Sequence, residues 1–336
     1  MKIFEFNSPD YEPEISIVCM TYNAEIFIDD LVASIFQQDI INRCELIIWD
    51  DASVDGTVSL LQESLIRSPC YAKLITRDEN VGALSNWLQA LNSARGRLIA
   101  WVDGDDYYLS PLKLSNDLNV FDACDSCSLV FSPSQKMRAG SKGSAVRNVY
   151  ESWDASKIDL PWVLRKGGGF YPSSSVVFKS SVLLNLPEWF MVTHCTGDLP
   201  LAAAAVLKGG RICYRKGVDT AYRIHDQSIT NSKHSVFMTF RRGVRNKIKN
   251  CEFYRLLFVD AFISKELYLE LIAKEQYVFY SKLLDLGAYK YCIKKSLGTL
   301  SMKYLIRLYA KLTFVLAKNM HKALSESFSR TNGSAF

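Results

Sequence analysis

The stretch Leu98-Ile99-Ala100-Trp101-Val102-Asp103-Gly104-Asp105-Asp106 decides how this chain folds. An apolar run typical of a buried β-strand ends in three carboxylates within four residues. Carboxylates this close together repel one another, so folding alone gives little reason to collect them. A divalent cation would relieve the repulsion, because hard cations take oxygen ligands. The alternative is a solvated loop in which Asp105 or Asp106 caps the helix suggested by Ser110-Pro111.

Three earlier apolar runs, 15–20, 45–49 and 72–76, also lead into polar residues, and helical patterns separate them. Strands alternating with helices predict a parallel sheet with crossover helices. Ligands bind such sheets at the carboxyl ends of the strands. We therefore expect one crevice to collect the polar groups at these ends. They are Thr21, Tyr22 and Asn23, then Asp50 and Asp51, then Asn80, and finally Asp103, Asp105 and Asp106.

Length and charge predict two parts. The chain has 336 residues with 49% hydrophobic content, which is long for one domain of about 100–200 residues. Residues 235–336 carry 18 Lys and Arg against 7 Asp and Glu, whereas residues 1–234 carry 22 against 28. We predict an α/β domain over 1–234, with a donor half at about 14–110 and an acceptor half at 111–234. Residues 235–336 are predicted to form a basic helical extension.

Nine scattered cysteines are typical of reduced, buried thiols rather than a disulfide framework. Cys124 and Cys127 form an isolated C-x-x-C, and no second pair or nearby histidine completes a zinc site. No apolar stretch approaches the ~20 residues of a membrane-spanning helix. The first residues lack the apolar core of a signal peptide, so we expect a cytoplasmic protein.

Further along, residues 134–151 are rich in Ser, Lys, Gly and Arg and predict a mobile loop. A run of three glycines at 167–169 predicts a turn before a strand at 176–178. Asp198 falls in the first turn, or at the N-cap, of an apolar helix that runs to Lys208. Capping of that helix is one use for this carboxylate.

Taken in order, the motifs resemble family 2 glycosyltransferases. The resemblance covers about residues 14–230, and neither a G-x-G-x-x-G nor a Walker sequence competes with it. It implies the GT-A fold, a nucleotide-diphosphate sugar donor and inversion at the anomeric carbon. The motifs that carry it are Ser16-Ile17-Val18 with Thr21-Tyr22-Asn23, Asp50-Asp51-x-Ser53-x-Asp55-Gly56-Thr57, Asn80-x-Gly82, Ala94-Arg95-Gly96 and Asp103-Gly104-Asp105-Asp106.

The resemblance implies a role for each position at the strand ends. Thr21 and Tyr22 would line the base pocket, and Asp51 would accept the uracil N–H, although Asp50 or Asp51 could instead cap the following turn. Asp103 would contact the ribose. The donor site implied in full comprises Thr21, Tyr22, Asn23, Asp51, Asn80, Asp103 and Gly104.

The resemblance also implies a metal and a base. Asp105 would ligate Mn²⁺ or Mg²⁺, with Asp106 in support, and His225 of Tyr222-Arg223-Ile224-His225 would ligate the metal or bond a phosphate. Arg223 is either scaffold or a phosphate-side residue. Asp198 would be the general base. Family members usually have Glu-Asp here, whereas this chain has Gly197 before Asp198.

The basic extension raises the question of a partner. Residues 302–324 form a helical pattern with Lys and Arg on one face and apolar residues on the other. Such a helix can lie on an anionic membrane, pack on its own domain or form a homo-oligomer. Nucleic-acid binding is not expected, because aromatic stacking motifs with interleaved Arg are lacking.

The function predicted is an inverting, metal-dependent transfer of a hexosyl or N-acetylhexosaminyl group from a UDP-sugar. The acceptor would be a glycan or lipid-linked saccharide in bacterial polysaccharide assembly, such as capsule, lipopolysaccharide or O-antigen, at the inner face of the plasma membrane. Absence of the Q-x-x-R-W motif of processive synthases favours one transfer per encounter. The alternatives are a non-catalytic sugar-nucleotide-binding or scaffolding module, and a nucleotidyltransferase, which would need a Gly-rich triphosphate loop after the first strand.

Overall fold

A computed structural model of the chain describes residues 1–8, 10–138, 158–167, 169–186, 189–190, 197–225 and 236–285. The chain divides into two compact units, Met1–Lys233 and His234–Phe336. The split of the first unit into donor and acceptor halves stays a prediction.

The first unit alternates strands and helices over its first hundred residues. In chain order its elements are β1 (Lys2–Phe6), β2 (Ile15–Thr21), α1 (Ile28–Phe36), β3 (Cys44–Asp50), α2 (Thr57–Leu65), β4 (Tyr71–Thr76), α3 (Ala83–Leu91), β5 (Leu98–Asp103), β6 (Tyr107–Tyr108), α4 (Lys113–Ala123), β7 (Cys127–Phe131), β8 (Ser134–Arg138), α5 (Leu160–Lys166), β9 (Val177–Lys179), α6 (Asp198–Leu207), β10 (Arg211–Tyr214) and β11 (Thr220–Ile224).

Within the described residues, the main sheet has eight strands in the order β1-β4-β3-β2-β5-β9-β7-β10. Strands β4, β3, β2 and β5 run parallel, so their carboxyl ends share one edge. All seven residues of β3 are buried, as expected for a strand covered on both faces. The predicted α/β class with a helix-flanked sheet is confirmed.

The sheet also contains two antiparallel strands. β1, which the sequence did not predict, pairs with β4 at one edge. β9, which confirms the strand predicted at 176–178, runs between β5 and β7. The loop predicted over 134–151 is wrong for its first five residues, because Ser134–Arg138 forms β8 and pairs with β11. Backbone pairing with a distant strand outweighed the polar composition. Residues 139–151 lie outside the described residues.

A small second sheet positions His225, the last candidate site residue along the chain. In the described chain it has three strands in the order β6-β11-β8. Thr220 of β11 pairs with Tyr108 of β6, just beyond the acidic stretch. Since β6 follows Asp106 directly, this pairing brings the end of β11 beside the end of β5.

The second unit, where described, contains α7 (Val236–Val259) and α8 (Lys265–Asp285). Phe258 stacks on Tyr268 with ring centroids 5.0 Å apart. Asn250 Nδ2 donates to Glu275 Oε1 at 3.0 Å. Among the helices described, none combines the length and apolar composition needed to cross a membrane. The amphipathic pattern at 302–324 lies outside the described residues.

Candidate active site

A cleft of about 760 Å³ opens at the carboxyl ends of the parallel strands. Its lining includes every residue that the sequence proposed for the donor, the metal and the base. These are Thr21, Tyr22, Asn23, Asp51, Asn80, Asp103, Gly104, Asp105, Asp198 and His225. The fold brings these residues to one crevice, whereas Asp50 and Asp106, which were also expected there, are buried and are not among its lining residues. Their individual chemical roles stay predictions.

Asp50, at the end of β3, joins the first two strand ends. It accepts hydrogen bonds from Thr21 Oγ1 at 2.9 Å, from Ser53 N at 2.8 Å and from Ser53 Oγ at 2.5 Å. Asn23 N in turn donates to Ser53 Oγ at 2.8 Å. Asp50 thus caps the turn after β3, leaving Asp51 to face the cleft. Tyr22 is half-exposed at 52%, so its ring is open to a ligand.

Asp51 is buried and binds the loop that precedes α3. Its Oδ1 accepts from Val81 N and its Oδ2 from Gly82 N, each at 2.9 Å. Asn80 Nδ2 donates to the Asp51 carbonyl at 3.1 Å. A carboxylate oxygen has two lone pairs, so each can accept one more donor. Asp51 therefore retains the capacity to accept a base N–H while it also shapes the pocket.

Burial and the neighbouring charges of the acidic stretch raise the pKa of two of its carboxylates, Asp103 and Asp106. Burial, and then the charge of Asp105, raise the pKa of Asp103 to about 6. Burial, followed by the charges of Asp105 and Asp103, also raises the pKa of Asp106 well above its ordinary value. Both shifts show that the site disfavours a full set of negative charges. A bound cation would reverse that preference.

Two serines from the 173–175 turn hold these carboxylates. Ser173 Oγ donates to Asp103 Oδ2, and Ser174 Oγ donates to Asp106 Oδ2 at 2.5 Å. Trp101 Nε1 donates to Asp103 Oδ1 at 2.9 Å. The helix after the acidic stretch, α4, has no side-chain cap, so neither Asp105 nor Asp106 serves as its N-cap. The capping alternative is wrong.

Gly104 allows β5 to approach β2 closely. A Cβ at this position would lie 2.7 Å from the Met20 carbonyl oxygen and 2.9 Å from Thr21 Cγ2. The Gly104 N–H donates to that same carbonyl at 2.9 Å. The tight crossing places the acidic stretch beside the Thr21 strand end.

Asp105 and His225 form a pair in the cleft. His225 Nε2 lies 2.9 Å from Asp105 Oδ2, and the His225 ring packs on Phe27 with centroids 4.7 Å apart. The Asp105 side chain is 33% exposed and that of His225 is 12% exposed. β11 delivers this histidine from 120 residues away in the sequence.

Arg223 fixes the loop that holds this pair. Its N–H donates to Asp106 Oδ1 at 2.9 Å and its Nη1 to the Asp105 carbonyl at 3.0 Å. The guanidinium lies 4.3 Å from the Tyr107 ring centroid and also pairs with Asp30. With these partners and 7% exposure, Arg223 acts as scaffold, which decides between the two alternatives for it.

The residues present fit a divalent cation that also takes substrate oxygens. Asp105 and His225 supply an oxygen and a nitrogen ligand at one point of the cleft. Among the described residues, no three His, Cys, Asp or Glu side chains form a complete metal site. Mg²⁺ commonly uses one or two carboxylates together with substrate phosphates and water. The carboxylates with raised pKa provide the electrostatic reason for such a cation.

Asp198, the first residue of α6, also lines the cleft. Gly197 precedes it as the N-cap with a left-handed φ of 59°. Tyr171 Oη donates to the Asp198 carbonyl at 2.6 Å, which ties the 169–173 segment to the helix start. The rest of the helix is mostly buried and apolar, so Asp198 is the acidic residue that α6 brings to the cleft.

Three residues that the sequence did not assign to the site also line the cleft: Trp87, Lys136 and Ser173. Lys136 fell in the predicted mobile loop, yet β8 brings it to the cleft. Ser173 lies between the predicted glycine turn and the strand that follows it, and Trp87 lies in α3. No local signal marks these residues, because their neighbours come from distant segments.

Comparison with known proteins gives a family. The sequence profile of "Glycosyl transferase family 2" matches residues 16–181. An uncharacterised protein of Mycobacterium tuberculosis is 35% identical over 230 residues, which is 66% of this chain. The chain spans 62% of the length of that relative.

Two further similarities are more limited. The UDP-Glc:alpha-D-GlcNAc-diphosphoundecaprenol beta-1,3-glucosyltransferase WfgD of Escherichia coli is 35% identical over 96 residues, 29% of this chain and 36% of WfgD. The mannosyltransferase PcManGT of Pyrobaculum calidifontis, solved with GDP-Man and Mn²⁺, superposes with a TM-score of 0.55 at 15% identity, covering 94% of this chain and 84% of PcManGT. That likeness shows the fold. The profile match, the order of the strand-end motifs and the shared fold agree: residues 16–181 belong to family 2 of the glycosyltransferases, and the fold is GT-A.

Proposed function

We propose that the protein transfers a single hexosyl or N-acetylhexosaminyl group from a UDP-sugar to a glycan or lipid-linked saccharide, with inversion. The observation that carries the proposal is the cleft that Asp105, His225 and Asp198 line together. One wall offers a cation site for a diphosphate, and the other offers a carboxylate for an acceptor. A module that only binds sugar nucleotides would not need Asp198.

In this mechanism the chain's own residues bind the donor and move one proton. The Tyr22 ring and the Asp51 carboxylate hold the base, and the Asp103 carboxylate holds the ribose. Asp198 takes the proton from an acceptor hydroxyl as its oxygen forms a bond to the anomeric carbon. The bond from that carbon to the diphosphate breaks, and the nucleotide diphosphate departs with the electron pair. A positioned base typically contributes 10²–10⁴-fold to such a step.

Asp105 and His225 would hold the divalent cation. When bound, the cation offsets the negative charge that the departing diphosphate gains. The E. coli relative's name states UDP-Glc and an undecaprenol-linked acceptor, whereas PcManGT was solved with GDP-Man. We assign this chain a uridine donor because the Asp51 carboxylate can accept the ring N–H of uracil. Peripheral contact with an anionic membrane through the basic extension would suit a lipid-linked acceptor.

The test is turnover of a panel of UDP- and GDP-sugars by the purified chain, with Mn²⁺, Mg²⁺ or a chelator. We expect release of UDP from at least one UDP-sugar, loss of that release on chelation, and no release of GDP. Turnover of GDP-sugars alone would refute the uridine assignment. Tight UDP binding without turnover of any donor, in the presence of lipid-linked acceptors, would support the non-catalytic alternative.

A further inference from the structure

Trp87 of α3 packs against the residue that precedes the candidate base. A Cβ at position 197 would lie 2.5 Å from Trp87 Cζ3 and 2.6 Å from its Cη2. Gly197 also has a φ of 59°, a backbone conformation that favours glycine. The close contact with Trp87 and the positive φ therefore both require glycine at position 197. This explains why the chain departs from the family's Glu-Asp pair at this point.

The size of the Trp87 side chain matters more than its polarity. Trp87 is 2% exposed, and its ring centroid lies 5.0 Å from that of Trp101 and 6.1 Å from that of Phe190. Its buried Nε1 has no hydrogen-bond partner among the described residues. An unpaired buried donor carries a desolvation cost that Phe or Leu would avoid. The size of the indole ring, rather than its N–H group, therefore accounts for tryptophan at this position.

The helix that carries Trp87 is anchored to the nucleotide side of the cleft. Gly82, its N-cap, donates its N–H to Asp51 at 2.9 Å. Within the helix, Asn86 Nδ2 donates to the Trp49 carbonyl at 3.0 Å, and Asn86 Oδ1 accepts from Arg77 Nε at 3.1 Å. Bonds to the ends of β3 and β4 thus hold α3, so its position follows that of the base pocket.

We propose that Trp87 is a positioning residue that sets the location of Asp198 relative to the bound nucleotide. The edge of the Trp87 ring contacts Gly197 and limits how closely the start of α6 can approach α3. Asp198 is the next residue. The inference rests on the proposed function, because it takes Asp198 as the base. A displacement of about 1 Å at a reacting group can cost about 10²-fold in rate. Trp87 would therefore affect catalysis through the position of Asp198.

Gly197→Ala tests the contact directly, since the added Cβ must displace either the ring or the helix start. We expect kcat to fall about 10²-fold, with the donor KM and the affinity for UDP unchanged. The double variant Gly197→Ala with Trp87→Phe removes the outer ring atoms that meet the new Cβ. It should recover kcat by about tenfold over Gly197→Ala alone, a non-additive response of two residues in contact.

Gly209→Ala is the matched control. Gly209 follows the other end of α6 and also has a positive φ, of 77°, but a Cβ there meets nothing within 4 Å. It imposes similar backbone strain without touching Trp87, so its kcat should equal that of the unmodified protein. Thermal unfolding of each variant reports any loss of folded protein.

Three results would overturn the inference. They are a kcat for Gly197→Ala equal to that of Gly209→Ala, a UDP affinity that falls together with kcat, and a double variant no faster than Gly197→Ala. Asp198→Asn separates this outcome from failure of the proposed function. If Asp198→Asn loses transfer while Gly197→Ala keeps it, only the positioning role fails. If Asp198→Asn keeps transfer, the base assignment fails as well.

Discussion

Two parts of the cleft hold their acidic residues in different ways. The donor wall is formed by the ends of β3 and β5, and the acceptor wall by the start of α6. On the donor wall, Asp51, Asp103 and Asp106 each accept hydrogen bonds on both carboxylate oxygens, and every donor except Trp101 comes from another segment. On the acceptor wall, Tyr171 donates to the Asp198 carbonyl, and Gly197 before it fits closely against Trp87. Hydrogen bonds to the carboxylates hold the first group, and a close contact of the preceding glycine helps to place the second.

This difference matches what each wall is proposed to do. The donor wall concentrates negative charge that the protein disfavours, as the pKa of about 6 for Asp103 indicates, and is suited to a cation. The acceptor wall needs one carboxylate at a defined distance from a reacting hydroxyl. The comparison predicts that changes on the two walls separate binding from chemistry.

The largest effect is expected on the acceptor wall. Asp198→Asn keeps the size of the side chain but removes the base, so kcat should fall about 10²–10⁴-fold. UDP affinity should not change, because the donor wall is intact. Steady-state kinetics and UDP titration measure the two quantities. Asp122→Asn, an exposed position that pairs with Arg97, is the control and should leave both unchanged. Transfer at the normal rate by Asp198→Asn would show that the acceptor wall does not supply the base.

The next effect is expected at the cation site. Asp105→Ala removes one of the two proposed protein ligands, and we expect the affinity for UDP in Mn²⁺ to fall about 10–100-fold. In a chelator, the variant and the unmodified protein should bind UDP equally. Calorimetric titration with and without Mn²⁺ measures this difference. Equal loss in both conditions would show that Asp105 contacts the nucleotide rather than a metal.

A smaller effect is expected at the base pocket. Asp51→Ala removes the proposed partner of the uracil N–H, which is worth about 1.5 kcal/mol or roughly tenfold in affinity. Because this contact involves no metal, uridine binding should weaken equally with Mn²⁺ and with a chelator. That independence distinguishes Asp51 from Asp105. Unchanged uridine affinity would limit Asp51 to anchoring Val81 and Gly82.

The smallest effect is expected away from both walls, at β10. The neighbouring Cys127 thiol, with smaller contributions that include Arg211, lowers the pKa of Cys213 to about 7. Since the thiolate is the nucleophile, alkylation should accelerate as the pH rises through about 7 and then level off. At pH 7 its thiolate fraction would exceed that of an ordinary cysteine about tenfold. Mass spectrometry of iodoacetamide adducts measures the rate, with Cys213→Ser as the control.

The alkylation of Cys213 tests whether the fold perturbs ionisable groups only in the cleft. A lowered pKa there would show that this fold perturbs ionisable groups outside the cleft as well. An alkylation profile centred near pH 8.5, the ordinary value for cysteine, would confine the perturbation to the cleft.

Most of the nucleotide side could be predicted from the sequence. Strands β2 to β5 run parallel, and their polar ends follow apolar runs directly, so position along the chain gives position at the sheet edge. Thr21, Asp51 and Asp103 needed only this rule. The prediction was wrong at residues 134–138, where a polar composition was taken for a loop. It also missed Ser173 and Ser174, which reach Asp103 and Asp106 from about 70 residues away.

The fold class, the family and the proposed donor, metal and base residues follow from the sequence alone, because they depend on local periodicity and the order of motifs. The tertiary structure decided how the residues of that set are held. The Asp105–His225 pair and the Arg223 scaffold depend on β11 lying beside β6. The fit of Trp87 against Gly197 depends on two helices whose contact leaves no local pattern. Contacts between distant segments follow from strand pairing and packing, which no short stretch encodes.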